Sequence, residues 1–543
     1  MNLTPSAYAD TFARDQLPPA DHWPLLEFTT PALHYPDRLN AAVELMSSGA
    51  DAAPALRSPQ GEVWSYADLR LRVSQVARIL TEDLGLVPGN RVLLRSPNTP
   101  WTVAVWLGVL SAGGIVVTTM AALRARELVP IVAKTKPAIA VVDHRYLDEV
   151  LVVRDELAPE LVVVPFGGTQ PHDLTVRAAE KPGGFVAVET AADDVALFGP
   201  TSGSTGLPKI TTHFHRDILS IDNTFGRPVL GLRPDDVVAC SAPLAFTFGL
   251  GMLVVFTLRA GGCAFLTESA TPAQLAELVA DHGVTVLATA PTAYRQILKS
   301  GKLDLLSGLR AAVSAGEHIP QNLWETIRAR LQLAIIDGIG ATEMLHIFIS
   351  AAGDDIRPGA TGKPVPGYRA AILDANGEPV PPGVEGRLAV IGPVGCRYLD
   401  DERQASYVVN GWNVTGDIFV QDDEGYFYYR ARDDSMIVSS GYNIGAPEVE
   451  AALVTHPDIV DAAVVGEPDA ERGHIVSAFV VLGHGVVGDD AKAKELQDHV
   501  KSELAPYKYP RRIRFVDALP RNPTGKVQHF KLRERISNEG APT

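Results

Sequence analysis

The segment Thr201-Ser202-Gly203-Ser204-Thr205-Gly206-Leu207-Pro208-Lys209 has the residue types and spacing to wrap a backbone around phosphate. Gly203 and Gly206 let the chain bend where a Cβ would clash, so that successive N–H groups can point at one anion. The hydroxyls of Thr201, Ser202, Ser204 and Thr205 add donors, and Lys209 adds positive charge. The pattern is not the Walker loop, in which Lys follows the second Gly and is itself followed by Ser or Thr. Here Leu207-Pro208 intervenes and Ile210 comes next. The segment alone leaves two readings open, an anion-binding loop and a flexible surface turn.

The elements that must hold this loop alternate along the chain. Short β-branched runs (Arg91–Leu94, Gly114–Thr118, Ala138–Val142, Leu161–Val164, Val237–Ser241, Cys263–Leu266, Val286–Ala288, Ala311–Ser314) are separated by patterned stretches such as Pro272–His282, Pro291–Ser300 and Pro320–Leu331. Alternation of this kind predicts α/β layers with mostly parallel sheets, whose ligands sit at strand carboxyl ends. From about Tyr368 the pattern changes to short strands with turn signals at Asn376-Gly377, Pro381-Pro382-Gly383 and Asp423-Glu424-Gly425. Beyond the polar break Asp433-Asp434-Ser435, the runs Glu448–Thr455, Ile459–Gly466, Val476–Leu482 and Ala491–Leu504 predict a small α+β unit. The expected organisation is a large N-terminal domain of layered α/β sheets with a β-rich subdomain, residues 1–433, and a small mobile α+β domain, residues 434–543.

At 543 residues the chain is too long for one core. A balance of 48 basic and 64 acidic residues argues against a general nucleic-acid binder. Basic charge does gather between Tyr507 and Arg535, as a solvated face or as a place to meet a polyphosphate. Cys240, Cys263 and Cys396 form no CxxC pair, which excludes a thiolate zinc cluster and a disulfide framework and fits a cytoplasmic location. No signal peptide is visible. Trp101–Leu123 is uncharged and long enough to span a bilayer, but Gly113-Gly114 interrupts it and a β-branched run follows. A buried helix, a turn and a buried strand are expected there, and no membrane span.

Six motifs then fall in one order: Thr201–Lys209; Ser314-Ala315-Gly316-Glu317; Gly338-Ile339-Gly340-Ala341-Thr342-Glu343; Thr415-Gly416-Asp417; Arg430-Ala431-Arg432-Asp433-Asp434; and Pro520-Arg521-Asn522-Pro523-Thr524-Gly525-Lys526. On these the chain resembles the acyl-adenylate-forming enzymes, which include acyl- and aryl-CoA ligases, firefly luciferase and peptide-synthetase adenylation domains. The resemblance covers nearly the whole length. It implies an enzyme that activates a carboxylic acid with ATP and passes the acyl group to a thiol, as an acid–thiol ligase does. A carboxylate oxygen is a poor leaving group, so the acid first attacks the α-phosphate, a step that needs positive charge in fixed geometry.

The resemblance implies the following roles. Thr201–Gly206 and Lys209 hold the departing phosphates; Ser314, Ala315, Gly316, Glu317, Asp337 and Gly338 form the adenine side; Asp417 and Arg432 hold the ribose. Lys526 bridges carboxylate and α-phosphate, Thr342 bonds the α-phosphate, and Glu343 holds Mg²⁺, a hard cation that takes carboxylate oxygens. Asp434 is the hinge about which the C-terminal domain rotates, and Ser440, Gly441 and Tyr442 face the pantetheine of CoA. Ser435 and Val438 depart from the residues common in the family, so the resemblance does not carry over the interdomain polar contacts those side chains usually make.

The acyl pocket implied by the same resemblance is formed by Phe246, Thr247, Phe248, Gly249, Ile339, Gly340, His346 and Ile347, an aromatic and aliphatic lining with one imidazole. The run Met344–Phe348 is expected to be a helix beyond Glu343, which would put His346 on the same helix side as Glu343. Ile339-Gly340 and Met344-Leu345-His346-Ile347-Phe348 look like the benzoate–CoA ligase branch, and Leu244–Gly249 looks like 2-aminobenzoate–CoA ligases. The expected partners are a small aromatic acid, ATP and CoA, with no nucleic acid or membrane, in a monomer or homodimer. An aryl-acid adenylation protein that loads a carrier-protein phosphopantetheine remains the alternative, although no further domain's worth of residues follows Lys526.

Overall fold

The computed structural model describes residues 3–201, 208–432, 436–439, 442–469, 472–504, 506–521 and 525–539. The chain divides into two compact units, residues 1–370 with 389–414 and residues 371–388 with 415–543.

Two sheets organise the first unit. One has six strands in the spatial order Val162–Phe166, Ile139–Asp143, Arg91–Arg95, Ile115–Thr119, Val195–Thr201 and Lys209–Phe214. The first five run parallel and the last is antiparallel to its neighbour. The other has nine strands, with Ile335–Gly340, Ala311–Ala315, Val286–Thr289, Val237–Cys240 and Cys263–Phe265 adjacent and parallel near its centre. Strands buried on both faces need continuous apolar sequence, and Arg91–Arg95, Ile115–Thr119 and Ile139–Asp143 are buried at every position.

The eight β-branched runs and the helical stretches Pro272–His282, Pro291–Ser300 and Pro320–Leu331 expected from sequence agree with the observed bounds to within two residues. Helices start where local chemistry caps them. Thr99 accepts from the Thr102 amide ahead of Pro100, and Thr271 forms a reciprocal capping box with Gln274 ahead of Pro272. The apolar stretch after Trp101 resolves into the helix Pro100–Ser111, a turn with Gly113 at φ 73°, and the strand Ile115–Thr119. Among the described residues no helix is long and apolar enough to cross a membrane.

In the second unit the ten-residue strand Trp412–Gln421, which begins in the first unit, pairs antiparallel with Phe427–Arg432, placing Asp417 opposite Arg432. Further on, Tyr442–Gly445, Met436–Ser439, Gly473–Leu482 and Ile459–Asp469 form an antiparallel sheet, with Arg512–Phe515 added parallel to Gly473–Leu482. The helices Ala446–Val454 and Asp490–Glu503 pack on it through Val449, Leu453, Leu496 and Val500.

Candidate active site

The segment Thr201–Lys209 joins two antiparallel strands. Val195–Thr201 and Lys209–Phe214 pair in register from Phe198↔Thr212 to Thr201↔Lys209. Ser202, Gly203, Ser204, Thr205, Gly206 and Leu207 lie outside the described residues. At the hairpin's mouth the Thr201 hydroxyl is buried without a hydrogen-bond partner among the described residues. Lys209 donates to the Tyr398 hydroxyl at 2.7 Å and stands 3.6 Å from Glu343 Oε1. Tyr398 in turn donates to Glu343 Oε1. The Lys209 ammonium lies over the Tyr398 ring at 4.6 Å and the Tyr407 ring at 5.6 Å. One carboxylate, one ammonium and one phenol therefore meet in a pocket where Glu343 is 8% exposed.

Thr342 sits beside the hairpin. A Cβ on Gly199 would come within 3.0 Å of Thr342 Cγ2 and 2.6 Å of Thr211 Oγ1, so only Gly allows this approach. Beneath it His213 bonds Thr211 Oγ1 through Nε2 at 2.9 Å. Burial lowers the pKa of this imidazole to about 3, and the nearby Arg397 charge acts the same way.

Elsewhere in the first unit Ser314 is paired with Asp337 and Ala315 with Gly338 across two parallel strands. Gly316, at φ 89°, makes the turn that follows, and Glu317 accepts from the Thr292 hydroxyl at 2.6 Å. Asp337 Oδ1 is buried and has no partner among the described residues. Burial pushes this carboxyl up to about 8, against the Ser314 hydroxyl and the Gly338 amide.

Beyond Glu343 the structure corrects the sequence expectation: Met344–Phe348 is not helical. A single 3-10 turn, Thr342–Met344, ends at Leu345 with φ 66°, and the strand Ile347–Ser350 returns antiparallel to Ile335–Gly340. The β-branched Ile347 and Ile349 and the left-handed residue at Leu345 favour a hairpin over a helix. His346 is thereby set beside Gly340, where a Cβ would come within 2.7 Å of the His346 carbonyl oxygen.

The His346 ring lies among Phe225 (5.4 Å between centroids), Phe248 (5.7 Å) and Phe256 (4.6 Å, edge-on). It is 3% exposed, and neither ring nitrogen has a hydrogen-bond partner among the described residues. The Phe248 backbone is near enough to favour the charged form slightly, but burial dominates and lowers the pKa to about 3. Gly249 and Ile347 are buried, Phe246, Thr247, Phe248 and Ile339 are half-buried, and Gly340 is exposed.

In the second unit Arg432 donates to Asp417 Oδ1 at 3.2 Å. Burial raises the Asp417 pKa, opposed by Arg432, the Thr415 hydroxyl and the charge of Lys526. Lys526 is exposed and follows Gly525, whose φ is 87° and whose carbonyl accepts from Arg521. Asp434, Ser440 and Gly441 lie outside the described residues; the backbone of Tyr442 opens a strand opposite Ser439. Much of the basic C-terminal charge is already paired: Lys508 with Glu448 at 2.6 Å, and Arg512 and Arg514 with the buried Glu467.

Sequence reasoning missed Tyr398 and His213. Tyr398 belongs to no motif and meets Glu343 from 55 residues away. A phenol beside a buried Arg in an apolar run, Cys396-Arg397-Tyr398-Leu399, was the available signal.

The family comparison supplies the class of protein, an AMP-binding enzyme. Residues 47–397 match the AMP-binding enzyme model and residues 448–526 match the model of the AMP-binding enzyme C-terminal domain. The chain belongs to this family, as an acid–thiol ligase of the aryl-CoA branch. It is 36% identical to the benzoate–CoA ligase of Thauera aromatica over 519 residues, 93% of this chain and 98% of the relative. Among solved structures it resembles the anthranilate CoA ligase AuaEII in complex with anthranoyl-AMP, with TM-score 0.89, 30% identity and coverage of 94% and 100%. It also resembles a benzoate CoA ligase from Burkholderia xenovorans LB400, with TM-score 0.83, 30% identity and coverage of 91% and 100%.

Proposed function

We propose that the chain is an ATP-dependent aryl-CoA ligase acting on 2-aminobenzoate or benzoate, with the ortho-amino acid as the better substrate. The observation that carries this is His346: a buried, neutral imidazole whose two nitrogens have no partner among the described residues, set among the rings of Phe225, Phe248 and Phe256. A buried polar group without a partner is costly. An ortho-amine on a flat ring held by Phe248, Ile339 and Ile347 supplies the missing donor, while unsubstituted benzoate leaves the imidazole unsatisfied. The relatives named for benzoate and anthranilate support the aromatic acid.

In this reading Thr201–Gly206 and Lys209 take the β- and γ-phosphates, and Thr342, packed against Gly199, donates to the α-phosphate. Asp337 and its strand neighbours face adenine, and Asp417 with Arg432 holds the ribose. Glu343, a hard oxygen donor with an ammonium already 3.6 Å away, fits a divalent cation. Mg²⁺ held by Glu343 would neutralise phosphate charge. Lys526 stabilises the charge that develops as carboxylate oxygen bonds to the α-phosphorus and pyrophosphate departs. Residues 434–543 then turn about Asp434, Lys526 withdraws, and Ser440, Gly441 and Tyr442 admit the CoA thiol. The thiol loses its proton to solvent, its sulfur bonds to the acyl carbon, and the bond from that carbon to the AMP oxygen breaks, releasing AMP.

A panel of benzoate, 2-aminobenzoate, salicylate, a cinnamate and a medium-chain fatty acid, read by pyrophosphate release and by thioester on free CoA, tests this. The expected order places 2-aminobenzoate first and the fatty acid last. Acyl-AMP without thioester on CoA would overturn the ligase reading in favour of carrier-protein loading.

A further inference from the structure

Glu343 and Lys209 come from different motifs, and the residue that joins them comes from neither. Tyr398 is fully buried, donates to Glu343 Oε1 and accepts from Lys209 at 2.7 Å. Its own position is fixed by its amide bonding Gln404 Oε1 at 2.9 Å, by edge-on contact with the Tyr407 ring at 5.7 Å, and by the neighbouring buried ion pair of Arg397 with Asp217.

We propose that Tyr398 is a positioning residue of the adenylation site: its hydroxyl fixes the Glu343 carboxylate in one orientation and docks Lys209 on it until nucleotide phosphate draws the ammonium away. This rests on the reading in which Glu343 holds the metal and Lys209 the phosphates. A carboxylate buried this deeply needs both a donor and a counter-charge. Tyr398 supplies the donor, its buried hydroxyl directed at Glu343 Oε1. Lys209 supplies the counter-charge only while phosphate is absent. Once the ammonium moves to phosphate, the carboxylate is left uncompensated and an arriving cation replaces it. Metal affinity at Glu343 is therefore low in the free chain and high in the nucleotide-bound one, and the two ligands bind as a pair.

The test uses full-length protein and Mn²⁺ as a paramagnetic probe, with and without α,β-methylene-ATP. Tyr398→Phe keeps the ring and removes one oxygen. It is expected to weaken Mn²⁺ binding to the nucleotide complex by roughly tenfold, the worth of one hydrogen bond to a charged group, with unfolding temperature little changed. Lys209→Met leaves Tyr398 intact and should raise Mn²⁺ affinity of the nucleotide-free chain severalfold over wild type. It decides the matter if the phenylalanine variant does not fold. Wild-type Mn²⁺ affinity in both variants overturns the proposal. Full Mn²⁺ affinity in Glu343→Gln would instead overturn the underlying assignment of the metal ligand.

Discussion

Asp217 and Arg397 form an ion pair in which neither side chain has any solvent exposure, tying the helix His215–Ile221 to the segment that ends in Tyr398. Arg397 also stacks on Phe214 at 4.1 Å, and its Nε and Nη1 have no hydrogen-bond partner among the described residues. Breaking such a pair from one side strands a buried charge. Asp217→Ala is expected to cost about 3–5 kcal/mol in denaturant-induced unfolding. A cost below about 1 kcal/mol would mean that the Phe214 ring and local carbonyls already compensate the guanidinium.

His346→Leu removes the unpartnered acceptor and keeps the wall apolar. Its kcat/KM for 2-aminobenzoate should fall about tenfold further than that for benzoate, the scale of one hydrogen bond. Parallel loss on both acids would assign the imidazole to packing alone.

Gly251 backs the same imidazole, since a Cβ there would overlap His346 Cδ2. Gly251→Ala must displace the ring, which packs beside Phe248. We expect a raised KM for the aromatic acid with the KM for ATP unchanged, and initial-rate kinetics with each substrate varied in turn checks it.

Asp337 binds its proton far more tightly in the folded chain, at about 8, than an unperturbed aspartate at about 3.9. Folding therefore takes up a proton between those values, and this group's contribution to stability falls as pH rises from about 4 to about 8. Asn cannot ionise. The unfolding temperature of Asp337→Asn minus that of wild type should grow steadily across this window, and a difference independent of pH would show that the carboxyl is ionised throughout.

Lys526→Ala should abolish acyl-AMP formation yet largely spare thioester formation from preformed acyl-AMP, and Gly441→Leu should do the reverse. Single-turnover assays of each half-reaction separate the two. Equal losses in both halves would argue against one domain serving two arrangements.

The sheets were legible in the sequence because doubly buried strands such as Arg91–Arg95 and Ile139–Asp143 require unbroken apolar runs, and Gly, Pro and Thr mark the turns and caps between them. The family was legible because each of its motifs, such as Thr201–Lys209, is held within one segment. The hairpin after Glu343 was not. Met344–Phe348 is a short apolar run that periodicity alone reads equally well as helix or strand, and the positive φ at Leu345 that decides the matter falls on a residue with no preference for it. Tyr398 and His213 were hidden for a different reason: their partners come from other segments, so no local pattern records them.

The strand–turn–strand Ile335–Ser350 has Asp337 near one end, Thr342 and Glu343 at the turn, and His346 and Ile347 on the return. In the proposed reading, base, phosphate and acyl ring are all gripped by this single ribbon. Selection for a new acid through residues 339–347 would therefore disturb nucleotide handling at the same time, and such changes should be strongly epistatic. Phe246, Thr247 and Phe248 stand on a separate segment, which makes them the more evolvable route to a different substrate.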